Sequence, residues 1–224
     1  MIDLHFEDGL AEVVLNNPKA LNSLTEADLQ EISDVYTEAA ERGARALLLR
    51  GEGRGFCAGR NIRGLDPRDD DATDYLANKV TPVLKQMSTF PAPTFAAVHG
   101  ACLGVGLGLA IATDIVYVAE DATVGSPFAN LGATLDSGGH SLFVERLGAH
   151  RTMDLIVTGD MMTGAEAVAA GLFSRALPAE ELVEFTRDKA RRAATGATRA
   201  FLTSRELVQD IRDNRRGLWE SVAD

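Results

Sequence analysis

The run VHGACLGVGLGLAIATD, residues 98–114, limits what this chain can fold into more than any other stretch. It joins a strand-like apolar segment to an apolar run of helical length and sets Gly104, Gly106 and Gly108 where that helix starts. Glycine inside a helix costs about 1 kcal/mol relative to alanine, so three in one turn need a reason in the backbone. One reason is a ligand approaching the first-turn N–H groups, which have no partner within the helix and attract developing negative charge. The other is close packing against a neighbouring strand. The stretch by itself leaves both open.

A second glycine-rich junction, GEGRGFCAGRNI at 51–62, follows an apolar strand at 46–49. The chain opens with a hairpin pattern, apolar residues at 2–6 and 11–15 around Glu7-Asp8-Gly9, and NNPKALNSL is loop chemistry. Thr25 then caps a helix running to about Arg42, with Asp28 three residues on as an imperfect capping box. Residues 61–73, containing DPRDDDATD, read as a mobile surface loop, followed by a helix over 75–86 and strands at 94–98 and 115–119. The region beyond Asp136 reads mainly as helix, with a short strand-like run at 173–177 and amphipathic helices at 181–195 and 198–212. Alternation of strand and helix indicates an α/β protein, in which ligands bind at the carboxyl ends of strands, where both glycine junctions fall.

Composition narrows the function classes. The net charge of -11 argues against nucleic acid or an anionic membrane as the main partner. Cys57 and Cys102 match no metal-ligand spacing, and two cysteines make no disulfide framework; with acidic residues at the N-terminus and no apolar run of membrane-spanning length, the expectation is a soluble cytoplasmic protein. The spacing G-x-G-x-G at 104–108 departs from the dinucleotide fingerprint G-x-G-x-x-G.

Four motifs in order, NNPKALNSL at 16–24, GEGRGFCAGRNI at 51–62, VHGACLGVGLGLAIATDI at 98–115 and the LG…DSGG segment at 131–139, together resemble the crotonase superfamily, the enoyl-CoA hydratase/isomerase family. The resemblance spans nearly the whole chain. It implies an α/β fold, a crotonase-like spiral of ββα units with C-terminal helices. It divides the chain into a core over 1–195 and the start of a helical trimerisation region over 196–224, and implies a homotrimer or a dimer of trimers. The substrate would be an acyl-CoA thioester, with coenzyme A carried in as part of the substrate and no separate cofactor.

By the same resemblance, the backbone N–H groups of Arg60 and Val105 form an oxyanion hole for the thioester oxygen. The second is in the first turn of the glycine-rich helix, where the backbone argument also points. An arginine at that site and Asn61 in place of the usual aspartate are departures. Coenzyme A would run along Lys19, Ala20 and Leu21 and along the loop holding Phe56, Ala58, Arg60, Asn61, Ile62 and Arg63, with Gly104 beside the thioester. Lys19 and Arg63 would reach phosphates, or else are solvated surface charges.

The two glutamates that family hydratases use fall at Gly108 and Phe128. Neither residue can orient water or move a proton, which argues against ordinary hydration. Asp136, in Leu135-Asp136-Ser137-Gly138-Gly139, matches the aspartate of related enoyl-CoA isomerases, with leucine for the usual proline. A double-bond shift needs one base, and the expectation is an isomerase with Asp136 as proton shuttle; burial against Phe128 and Leu135 would raise its pKa. Asp136 could equally N-cap the helix beginning at Ser137. The alternatives are a catalytically silent acyl-CoA-binding protein and an atypical hydratase using Asp136 or Asp66. His99 is expected to be structural, His140 packed or on the surface, and Glu145 and Arg146 an exposed ion-pairing stretch.

Overall fold

The computed structural model describes residues 1–65, 68, 70–126 and 139–220, with 211–220 as backbone alone. The chain begins with the antiparallel hairpin β1 (Ile2–Glu7) and β2 (Leu10–Leu15), turned by Asp8 and Gly9 in left-handed conformations. All six residues of β2 are buried, as an inner strand of a largely parallel sheet requires. The sheet continues through β3 (Ala46–Gly51), β4 (Thr94–Val98), β6 (Ile115–Ala119) and β9 (Arg175–Leu177), in the order β1-β2-β3-β4-β6-β9 and parallel from β2 onward.

A second, smaller sheet escaped the sequence reading. It consists of β5 (Ala101–Leu103), β7 (Thr123–Gly125) and β8 (Met162–Thr163), each three residues or fewer and too short for alternation to reveal. Cys57 extends it through a parallel bridge to Cys102. After β4 the chain bends at His99-Gly100, adds β5 to the small sheet and enters α4 (Val105–Ile111); after β6 it bends again into β7. This is the ββα spiral, with the carboxyl ends of the large-sheet strands meeting the small sheet at the glycine junctions.

Helix α1 (Glu26–Glu41) begins at a complete capping box: the Thr25 side chain accepts from the Asp28 N–H, and the Asp28 carboxylate accepts from the Thr25 N–H. The box expected to be imperfect therefore closes, because aspartate is long enough to reach back. The helix expected over 75–86 starts earlier and in a different form. Asp71 caps α2 (Ala72–Tyr75), a π-helical turn covers Leu76–Val80, and α3 (Thr81–Ser88) follows, so the carboxyl part of the expected surface loop is helical. The acidic run conceals this start, since the same aspartates that suggest a solvated loop also make good helix caps.

The later region comprises α5 (Gly139–Leu147), α6 (Ala149–Thr158), α7 (Gly164–Ala169), α8 (Ala179–Ala194) and α9 (Thr198–Glu220). Helix α8 lies across β2, β3, β4 and β6 and buries Leu182, Thr186, Ala190 and Ala194, one residue per turn. Beneath it, Glu12 of β2 pairs with Arg50 (2.5 Å) and Arg187 (2.8 Å). Burial alone would raise the Glu12 pKa, but the hydrogen bonds from Arg187 and Arg50 outweigh it and hold the group at about 2. Helix α9 is held to the core by Arg205, which donates to the Phe90 carbonyl (2.7 Å) and pairs with Asp114 (3.3 Å). Among the described residues no helix is long and apolar enough to cross a membrane.

Candidate active site

The site forms where the loop after β3 meets the start of α4. Cys57 donates its N–H to the Ala101 carbonyl (2.9 Å) and accepts from the Leu103 N–H (3.0 Å), which lays this loop along β5. Two residues on, Gly59 has φ +89° and approaches so closely that a Cβ there would lie 2.6 Å from the Leu103 oxygen and 3.5 Å from the Val105 nitrogen. Only glycine meets both conditions. Gly59, the residue before Arg60, is thereby brought against the start of α4 at Val105.

Backbone bonding explains why the Arg60 and Val105 N–H groups are available. The Leu24 N–H donates to the Gly59 carbonyl (2.8 Å) and the Asn61 N–H donates to the Leu24 carbonyl (2.8 Å), a parallel bridge that turns the Arg60 N–H away from Leu24. Val105 is the first residue of α4, where an N–H has no intrahelical acceptor. Among the described residues neither N–H has a backbone partner. An amide left without a backbone acceptor can stabilise an oxygen that gains negative charge.

The glycines divide by role. Gly104 has φ +52° and turns the chain from β5 into α4, its N–H spent on the Gly125 carbonyl (3.1 Å). Gly106 answers to packing instead: a Cβ there would lie 2.4 Å from the Cys57 carbonyl oxygen, 2.7 Å from its Cβ and 2.9 Å from its Sγ. Of the two explanations left open by the sequence, packing holds for Gly106, two residues after the turn at Gly104. Gly108 is buried within α4.

The first loop is joined to the second by a residue the sequence reading missed. Asn22 is 1% exposed, has φ +54°, donates from Nδ2 to the carbonyls of Gly55 (2.8 Å) and Phe56 (3.1 Å), and accepts at Oδ1 from the Asn17 N–H (2.8 Å). Its signal was present in NNPKALNSL, since asparagine tolerates left-handed conformations and can bond three backbone groups at once. Lys19 is exposed in a 3-10 turn (Pro18–Ala20); Ala20 is half-buried, and Leu21, in left-handed conformation, accepts from the Ala58 N–H (2.9 Å).

Phe56 is fully buried and its N–H and carbonyl are spent on His99 and Asn22, so it anchors the loop from inside. Asn61 is half-buried and accepts from the Arg63 N–H (3.1 Å), while Ile62 and Arg63 are exposed. His99 is structural as expected, its Nε2 bonded to the Gly53 carbonyl (2.9 Å). Arg146 departs from expectation: it is half-buried and donates to the Leu172 carbonyl (2.9 Å), tying α5 to the chain after α7. Burial pushes the Cys57 thiol up to about 12 and the Cys102 thiol well up also, so neither supplies a thiolate. Asp136, Phe128 and Asp66 lie outside the described residues.

The Arg60 side chain is the unforeseen part of the site. Its guanidinium makes a bidentate pair with Asp70 (2.7 and 2.6 Å) and lies 3.8 Å from the centroid of the Tyr75 ring. The hydrogen bond from Arg60 holds the Asp70 carboxyl below the usual carboxylate range.

Comparison with known proteins agrees with this geometry. Residues 5–216 match the family model described as enoyl-CoA hydratase/isomerase. The Bacillus subtilis hydratase/isomerase-family protein YhaR is 36% identical over 73% of this chain, a match spanning 64% of that protein's length, just under two thirds. The 1,2-epoxyphenylacetyl-CoA isomerase of Escherichia coli is 31% identical over 94% of this chain and 82% of its own. The crystal structure of an enoyl-CoA hydratase subunit from Geobacillus kaustophilus superposes with a TM-score of 0.87 at 27% identity, covering 100% of this chain and 90% of that one. With the ββα spiral, the two glycine junctions and the matched family model all in agreement, the chain belongs to the enoyl-CoA hydratase/isomerase family.

Proposed function

We propose that the protein acts on acyl-CoA thioesters and shifts the double bond of an enoyl-CoA. The observation that supports this reading is the close approach of Gly59, next to Arg60, to the Val105 nitrogen, with no backbone acceptor for the Arg60 or Val105 N–H among the described residues. The Asp136 carboxylate removes a proton from the carbon beside the thioester of a 3-enoyl substrate. The electron pair passes through the carbonyl to the oxygen, giving a dienolate held by the two N–H groups, each worth about 3 kcal/mol in the transition state. The same acid returns the proton two carbons further along, leaving the 2-enoyl thioester. Every atom is conserved, and one carboxylate serves both steps.

Lys19 and Arg63 on exposed loops would meet the phosphates of coenzyme A, and the loops at 19–21 and 58–62 its pantetheine and adenine. Assembly as a homotrimer through the region 196–224 would cover Phe201, Leu207 and Val208, which α9 exposes.

Asp136→Asn tests the assignment. Conversion of 3-enoyl to 2-enoyl-CoA should fall at least about 100-fold, the scale of a lost general base, while acyl-CoA affinity by calorimetry stays within a factor of about two. Unchanged turnover excludes Asp136 as the shuttle. Binding without turnover by the wild type favours a silent binder, which the glycine at 108 and phenylalanine at 128 would also suit; hydration of crotonyl-CoA by the wild type favours a hydratase.

A further inference from the structure

Arg60 is gripped at both ends. Its backbone is fixed by the bridge to Leu24, and its side chain reaches away to the single turn of α2. Asp70 immediately precedes the α2 cap Asp71, and Tyr75, 4% exposed, closes the turn. The two contacts constrain the guanidinium in different directions: a bidentate carboxylate sets the plane of the fork, and the ring face limits movement across it. The next turn, Leu76–Val80, is π-helical, and Thr81 Oγ1 donates to the Leu76 carbonyl (2.7 Å) within it. π-turns occur often beside functional sites.

Stability alone accounts poorly for this arrangement. The Arg60 and Asp70 side chains are each 20% exposed, and an ion pair so close to solvent adds little to stability. Orientation of one amide is a far more sensitive quantity, since misplacing a catalytic group by about 1 Å can cost about 100-fold in rate. The Arg60 N–H belongs to the same residue as the guanidinium, in a loop whose next residues, Ile62 to Leu65, are exposed. The backbone before Arg60 is tied by the Ala58 N–H to Leu21 and by the Leu24 bridge, and the side-chain pair adds an anchor on the outer side.

We propose that Asp70 and Tyr75 are positioning residues for the reaction: by holding the Arg60 side chain against α2 they aim the Arg60 N–H at the thioester oxygen as it gains charge. This rests on the oxyanion reading given above. Lysine at position 60 would keep the charge and lose the fork, so it would not replace the arginine. The hold acts on the charged oxygen more than on the neutral one, because a donor slightly out of line loses most where the acceptor is most negative.

Two thioesters separate positioning from simple structural support. Butyryl-CoA presents a neutral carbonyl, whereas acetoacetyl-CoA binds as an enolate with negative charge on its oxygens. In Asp70→Asn and Arg60→Lys, acetoacetyl-CoA affinity should fall about ten-fold and butyryl-CoA affinity less than about two-fold, with kcat for the enoyl substrate falling as the former and KM moving as the latter. Asp70→Glu should recover part of the loss, Tyr75→Leu should reproduce it, and Asp70→Asn combined with Arg60→Lys should be no worse than either alone. Equal losses for both thioesters, or none for either, in variants with native circular dichroism would overturn the proposal while leaving the acyl-CoA reading standing. Failure of the wild type to bind either thioester would overturn that reading first and this inference with it.

Discussion

Three glycines around one backbone junction show how differently the same residue can be used. Gly59 and Gly104 hold positive φ values of 89° and 52°, which L side chains rarely adopt, while Gly106 has an ordinary helical backbone and is constrained by Cys57 alone. The expected consequences differ accordingly. Gly106→Ala sets a methyl group 2.4 Å from the Cys57 carbonyl oxygen and 2.7 Å from its Cβ and should cost about 1–3 kcal/mol, as overpacking does, read from the urea midpoint. Cys57→Ala in the same chain removes only the Sγ, 2.9 Å away, and should recover little of that loss, since the oxygen and Cβ remain. An unchanged urea midpoint in Gly106→Ala would sink the packing account. Cys57 also donates its Sγ–H to the Asn22 carbonyl (3.1 Å), so the small residue under the helix and the asparagine under the first loop share one contact.

At the scale of elements, local chemistry decided where helices begin more sharply than the hydrophobic pattern did. The Thr25–Asp28 box is written in four consecutive residues, and Thr25→Ala should lower stability by about 1 kcal/mol by leaving the Asp28 N–H without its acceptor. An unchanged thermal midpoint would show that the cap is dispensable. Helices α1 and α8 were visible in sequence because their apolar residues recur at helical spacing, and strands β3, β4 and β6 of the large sheet because they lie in apolar runs of four residues or more. The small sheet was not, since strands of two and three residues have no period to read and are held by partners more than twenty residues away, Thr123 on Ala101 and Thr163 on Thr123. The start of α2 at Ala72 was hidden for a related reason: the aspartates before it carry the same signal in a loop and in a cap, and Asp70 acquires its meaning from Arg60, ten residues back.

For the molecule as a whole, Glu12 is the point where distant parts of the chain depend on one charge. It joins β2 to Arg50 of β3 and to Arg187 of α8, and its pKa lies at about 2 against an ordinary 4.5. A group whose pKa is depressed on folding stabilises the fold above its unfolded pKa and loses that contribution as pH falls through the folded value. The contribution should therefore be present at neutral pH and be lost between about pH 4.5 and 2, and it amounts to something on the order of 2 kcal/mol after allowance for solvent around the arginines. Acid titration followed by circular dichroism should show Glu12→Gln less stable than the wild type at pH 7 and nearly equal to it near pH 2. A constant difference across that range would remove Glu12 from the acid response.

The sequence by itself determined the α/β class, the large-sheet strands, the family resemblance and the two glycine junctions, because each is carried by residues that are neighbours in the chain or recur at a fixed spacing. Through the family resemblance it also pointed to Arg60 and Val105 as the amides proposed to meet the thioester oxygen. Tertiary structure alone decided that Gly59 lies against Leu103 and Val105, that Gly106 answers to Cys57 while Gly104 turns the chain, and that the Arg60 side chain is held by Asp70 and Tyr75. The physical reason is common to all three. Each is a contact between chain segments separated by ten residues or more, and a residue type records what a position can do, whereas only the folded backbone fixes which neighbour it does it to.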